Sequence, residues 1–133
     1  MIYLLDTNIL SAFVRDPAGP AAPRLAEVGE QAAVTSVVVA GELRYGCRRK
    51  GSERLSERVE AVLRAIEILP LTVEASGHYG EIRHYLEAKG TPIGQNDLWI
   101  AAEARARGAV LVTDNTGEFE RVPDLVVENW LRA

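Results

Sequence analysis

Four apolar residues in a row, Ile2-Tyr3-Leu4-Leu5, closed at once by Asp6-Thr7-Asn8, constrain this chain more than any other stretch. An apolar run this short, unbroken by polar residues and ended by turn formers, fits a strand buried on both faces, as in the middle of a parallel sheet. In such sheets ligands sit outside the carboxyl ends of the strands. Asp6 stands at that end. Asp6 or Thr7 would serve equally as the N-cap of a following helix, so the carboxylate has two readings at this stage.

The residues that follow alternate helix and strand signals. Ile9, Leu10 and Phe13 give a short amphipathic helix that stops before Asp16-Pro17-Ala18-Gly19-Pro20, and a second helix is predicted over Ala22 to Glu30. Ala32 to Thr35 reads as a small-residue strand, with Ser36 capping a helix from Val37 to Lys50. After Gly51-Ser52 comes a helix carrying Leu55, Val59, Val62 and Leu63, then a strand over Glu67 to Leu71 that Pro70 places near a sheet edge. Thr72 caps a helix to Lys89, and the loop Gly90 to Gly94 leads to Asn96, expected to cap a helix over Asp97 to Arg107 that Gly108 ends. Ala109 to Thr113 is a strand, Gly117 to Arg121 at most a helical turn, and Leu125 to Val127 a last strand. Five short strands separated mostly by helices predict an α/β fold with a mostly parallel sheet flanked by helices. At 133 residues this is one domain, 1–133.

No apolar run approaches the roughly 20 residues that cross a bilayer, and no basic, apolar leader opens the chain, so a cytoplasmic protein is expected. The lone Cys47 falls among helical apolar positions and suits a small buried residue. The net charge of −4 opposes broad charge-driven binding to nucleic acid but leaves room for a local basic surface.

Three further acids call for the same scrutiny as Asp6. Asp97 shares a helical stripe with Ile100, Ala101 and Ala104, whose small side chains let the helix approach the sheet and carry the acid toward the strand ends. Its plainer reading is an ordinary first-turn acid favoured by the helix dipole. Glu42 lies beside the stripe of Val39, Leu43, Gly46 and Cys47, where a solvated charge is the common case. Asp114 follows Val112-Thr113 as Asp6 follows its own strand, although Asp-Asn is also a turn pair. Carboxylates gathered at one sheet edge repel each other unless a hard cation sits among them, and all-oxygen ligation selects Mg²⁺ or Mn²⁺. Such a site hydrolyses phosphodiesters. His78 and His84 are six apart on one helix, out of phase for a joint metal site, and are expected at the surface or against a partner.

The chain resembles the PIN-domain ribonucleases, and within them the VapC-type toxins of bacterial toxin–antitoxin pairs. The likeness runs through Leu4-Leu5-Asp6-Thr7-Asn8, Thr35-Ser36 with Gly41 to Gly46, Gly94 to Ala102, and Leu111 to Asn115 running into Glu118 to Pro123, in the family's order and spacing. The resemblance implies a three-layer PIN-like fold. It implies that Asp6 and Asp97 are the principal metal ligands and that Glu42 is a third acid, acting through water. Ser36 and Thr113 become hydroxyls that orient these carboxylates. The position two after the strand-end Thr, an Asp in many relatives, is Asn115 here, leaving Asp114 and Glu118 as alternatives for a fourth acid.

RNA is the substrate that the resemblance implies, structured RNA such as transfer RNA in particular. Arg44, Arg48, Arg49, Lys50, Arg54 and Arg58 supply a basic stretch for it, or else form a solvated, salt-bridged face. A homodimer and a cognate VapB-like antitoxin lying across the acidic groove are further implications. Leu10, Phe13, Leu25 and Val28 are candidates for these contacts, or for plain core packing. Two alternatives compete: a catalytically silent PIN-like binding module, and a Mg²⁺-dependent phosphoaspartyl phosphatase or receiver domain. The silent module has no use for three repelling acids. The phosphatase expects Asp where this chain has Asn8, and both phosphoaspartyl versions expect a Lys after a late strand, where this chain has acids.

Overall fold

Strand β1, Tyr3–Leu5, is the middle of a five-stranded sheet, which is why its residues are apolar on both faces: Leu4 and Leu5 are fully buried. The computed structural model describes residues 1–132. The other strands are β2 (Ala33–Ser36), β3 (Glu67–Leu69), β4 (Val110–Val112) and β5 (Val126–Glu128), in the order β3-β2-β1-β4-β5, and every pairing is parallel.

Helices fill each crossover. Helices α1 (Thr7–Arg15) and α2 (Ala21–Val28) join β1 to β2; α3 (Val37–Lys50) and α4 (Glu53–Ala65) join β2 to β3. Helices α5 (Val73–Ala88) and α6 (Gln95–Arg107) return the chain across the sheet to β4, and the single-turn α7 (Thr116–Phe119) precedes β5. The chain builds outward from β1 to β3, then comes back to place β4 on β1's other side. That reversal puts a topological switch point between β1 and β4, where the crevice for a ligand opens in such sheets. The expected α/β architecture with a short-stranded parallel sheet flanked by helices is the one observed.

Pro70 does end β3, an edge strand, and glycines 51 and 108 close α3 and α6 in the left-handed region (φ 65° each). Three expectations need correction. The second helix stops at Val28, because Gly29 (φ 89°) turns the backbone, and Glu30 begins a separate 3₁₀ turn, Glu30–Ala32. Helix α6 starts at Gln95 with extended Gly94 as its N-cap, so Asn96 is inside the first turn and caps nothing; its amide is engaged elsewhere. His78 is not a free surface residue: its Nδ1 accepts from Arg105 Nε at 2.8 Å, whereas His84 is exposed.

The alanines of α6 let it press on the sheet: Ile100, Ala101 and Ala104 have no exposed surface. Glu103 on the same helix is also fully buried, paired with Arg107 at 2.5 Å and accepting from Thr72 N at 3.3 Å. Cys47 is buried, as expected. Leu10 belongs to the core, and Phe13, Leu25 and Val28 pack against it half-buried. Among the described residues no helix is long and apolar enough to cross a membrane.

Candidate active site

Asp6 leaves β1 at the switch point with its backbone still in the ladder, Asp6 N donating to Val112 O at 2.9 Å. Its carboxylate is only 4% exposed and has both oxygens engaged. Oδ1 accepts from Thr7 N at 2.8 Å, making Asp6 the N-cap of α1. Oδ2 accepts from the hydroxyl of Thr113 at 2.8 Å. The two readings left open for Asp6 are therefore one: the cap fixes one oxygen and β4's terminal Thr fixes the other.

Thr113 is the hub of this corner. Its Oγ1 also accepts from Asn8 Nδ2 at 3.3 Å and from Asn115 N at 3.0 Å, while Asn8 Oδ1 accepts from Asp114 N at 2.9 Å. These bonds stitch the end of β1 to the end of β4. Asn115 extends the network by donating Nδ2 to Glu118 Oε2 at 2.7 Å; the other oxygen of Glu118 is buried with no partner among the described residues. Ser36 caps α3 as expected, its hydroxyl accepting from Val38 N at 3.0 Å; among the described hydrogen bonds it makes none to a carboxylate, the second role that the resemblance implies for it.

Glu42 comes to the site from the second turn of α3. The Thr7 hydroxyl donates to its Oε1 at 2.6 Å and Asn96 Nδ2 to its Oε2 at 3.3 Å. Asp97 sits in the first turn of α6, within hydrogen-bonding reach of Glu118. An open cavity of about 480 Å³ is lined by Asp6, Glu42, Asp97 and Asp114, with Arg15 at its rim. Asp114 is turned to the rim, where Oδ1 accepts from Asn129 Nδ2 at 2.9 Å and pairs with Arg132 at 3.2 Å. Of the two alternatives for a fourth acid, Glu118 is the one that meets Asp97.

The electrostatics follow from this crowding. Burial, then the hydrogen bond and charge of Glu118, then the charges of Asp6 and Glu42 push the Asp97 carboxyl up to about 8. Burial also raises Asp6, with Glu42 and Glu118 adding to it, against the lowering effect of the Thr113 and Thr7 bonds. No basic side chain among the described residues forms an ion pair with Asp6, Glu42, Asp97 or Glu118.

Residues 3–125 match the PIN-domain family model. The chain belongs to the PIN-domain family. Among PIN domains it is similar to Ribonuclease VapC2 of Rickettsia felis, 39% identical over 133 residues that span 98% of each chain. It is 34% identical to the tRNA(fMet)-specific endonuclease VapC of Salmonella typhimurium, over 96% of this chain and 97% of that one. The solved structure of VapBC2 from Rickettsia felis bound to a promoter DNA fragment superposes with a TM-score of 0.86 at 36% identity, covering 98% of this chain and 99% of that one. This is thus a VapC-type PIN domain.

Thr7, Asn8 and Asn96 are functional candidates that sequence reasoning passed over. Each acts on a partner 35 to 105 residues away, a relation that no local pattern announces. On the basic stretch, Arg44 is held by Glu60 through two bonds of 3.0 Å, whereas Arg48 and Arg49 are exposed and form no ion pair with a described residue. Arg49 lies over the Tyr45 ring, 5.9 Å from its centroid.

Proposed function

We propose that this VapC-type PIN domain is a metal-dependent endoribonuclease and the toxin half of a toxin–antitoxin pair. The observation that carries the reading is Asp97, a carboxyl held up to about 8 by burial and three neighbouring acids at a strand-end crevice. Such a cluster has a deficit of positive charge that a hard divalent cation relieves. The unpartnered, buried Glu118 Oε1 points to the same need. No group of three such side chains among the described residues is placed to cage an ion by itself. Mg²⁺ accepts that arrangement, since one or two carboxylates with water complete its shell. Asp6 and Asp97 are the ligands, with Glu42 and Glu118 beside them.

When bound, the ion contributes a polarised phosphoryl oxygen and a more acidic attacking water. The chain's own groups do the rest. Thr113 and the Thr7 amide lock Asp6 in one orientation. Thr7 and Asn96 hold Glu42 by one oxygen each, leaving lone pairs free to orient the water and take its proton.

RNA as substrate is supported by the relatives named ribonuclease, and structured RNA by the relative named as specific for tRNA(fMet). A VapB-like antitoxin as partner is supported by the VapBC complex. The apolar cavity of about 190 Å³ that Leu10, Phe13, Leu25 and Val62 line between α1, α2 and α4 gives the antitoxin's apolar side chains a seat. A homodimer, as the resemblance to VapC-type toxins implies, working in the cytoplasm completes this reading. Purified protein incubated with total cellular RNA tests the reading: cleavage with Mg²⁺ or Mn²⁺ that chelator stops supports it. Undiminished cleavage in excess chelator overturns the metal dependence, whereas no cleavage with either metal overturns the nuclease and leaves the silent binding module.

A further inference from the structure

A second cavity, of about 260 Å³, opens directly off the acidic one and shares Thr7, Ser11, Arg15 and Glu42 with it. Its floor is aliphatic, made by Val14, Leu43, Cys47, Leu55 and Val59, where α1, α3 and α4 meet. Its rim is cationic. Arg15, Arg49 and Lys50 border it, and none of the three forms an ion pair with a described residue, in contrast to Arg44 on the neighbouring face. An apolar floor under unpaired cations, continuous with carboxylates suited to a phosphodiester, has the chemistry of one nucleotide. The base lies on the floor, and the phosphates on either side of it meet the rim.

We infer that this cavity receives a single splayed-out base of the RNA strand beside the bond that is cut, and that Arg15, Arg49 and Lys50 carry the adjoining phosphates. The inference rests on the nuclease reading of the acidic site. A space of about 260 Å³ has room for one unpaired base, which matches how proteins read RNA, through bases unstacked from loops and ends. With an aliphatic floor the base is selected by size and shape, and the Thr7 and Ser11 hydroxyls lie on the boundary where its polar edge emerges. The cavity therefore sets which nucleotide flanks the cut. The path runs along α1 and the last turn of α3, so Arg44, occupied by Glu60, is not on it.

Gly46 provides the test, because it borders the cavity and a Cβ built on it meets nothing within 4 Å. Leu is also a better helix former than Gly. Gly46→Leu thus puts a branched side chain into the space with α3 intact. Cut sites are mapped in total cellular RNA digested with Mg²⁺ by wild type and by this variant. Wild type is expected to favour one nucleotide beside the cut. Gly46→Leu adds four carbons and is expected to lose that preference at that position alone, with the rate at favoured sites down by at least about tenfold, the low end of what a single misfit methylene does to specificity. A merely structural role would slow all sites equally. In parallel, binding of a single-stranded oligoribonucleotide is followed against salt in chelator. Arg49→Ala with Lys50→Ala should reduce the slope of log K against log[salt] by about 1.4, two phosphates at about 0.7 each. If wild type cuts RNA but Gly46→Leu keeps the wild-type pattern and the salt slope does not move, the cavity assignment is overturned and the nuclease reading stands. If wild type binds the oligonucleotide with the expected slope change but cuts nothing, the nuclease reading falls and the strand path is supported.

Discussion

Glu118 faces Asp97 closely enough that, after burial, it is the largest influence pushing the Asp97 carboxyl up to about 8. The protein without metal is therefore partly protonated at neutral pH at the point where its proposed chemistry needs full charge.

A pH dependence of stability follows. The folded Asp97 ionises at about 8 against 3.8 for an unperturbed Asp, so between these values the folded state binds more protons than the unfolded one. Stability then falls as pH rises through that window. In chelator, the Tm measured by calorimetry should decline from pH 5 to pH 8, and Asp97→Asn should flatten the decline. Excess Mg²⁺ should do the same for the wild type, since the ion favours the charged form. A Tm that rises over this range in chelator contradicts the cluster's electrostatics.

Asp6→Asn and Asp97→Asn should each lower RNA cleavage by on the order of 10³-fold, the scale of several kcal/mol of lost charge stabilisation. Far-ultraviolet circular dichroism should remain that of the wild type.

Thr113 has no exposed surface and joins Asp6, Asn8 and Asn115 through one oxygen. Thr113→Val keeps the shape and deletes all three bonds. It should destabilise the fold by about 1–3 kcal/mol. Mn²⁺ affinity, measured by titration calorimetry, should fall by about 10- to 100-fold through loss of Asp6 orientation. Unchanged affinity would show that Asp6 does not depend on this hydroxyl.

The two alternatives for a fourth acid separate cleanly. Glu118→Gln removes a charge that raises Asp97, so carbon-13 NMR should find the Asp97 carboxyl titrating at lower pH. Asp114→Asn breaks only an exposed pair with Arg132, worth about 0–1 kcal/mol, and should leave that titration in place.

Glu103→Gln tests the buried pair behind the site. The amide keeps one acceptor oxygen, so it can serve Arg107 or the Thr72 amide but not both, and its NH2 faces the donor left over; with the charge also gone, chemical denaturation should show a loss of about 3 kcal/mol, the low end for a broken buried pair because Arg107 is partly exposed.

Much of this was written locally in the chain. The unbroken apolar residues of β1, the small residues of α6 and the glycines that close α3 and α6 each act on neighbours in sequence, so their outcome was legible. Misreadings occurred where a long-range partner outbid a local preference. Asn96 has a good capping side chain, yet Glu42 claims it, and Gly94 takes the cap with its extended backbone. At Ser36 the local preference prevailed, and its hydroxyl caps its own helix as its place before Val37 predicts. Asp6 satisfied both levels at once, which no pattern of spacing could have distinguished from either alone.

The central position of β1 has a consequence during synthesis. Its two neighbours come from residues 33–36 and 110–112, and the acids of the site from α1's cap, α3, α6 and α7. A ribosome that has released only the first hundred residues has made Asp6, Glu42 and Asp97 but not the strand that holds them together. The cleft cannot assemble until residue 118 emerges, so while only β1, β2 and β3 have been made, Asp6 has no partner strand on its β4 side and the acids of the crevice stay apart.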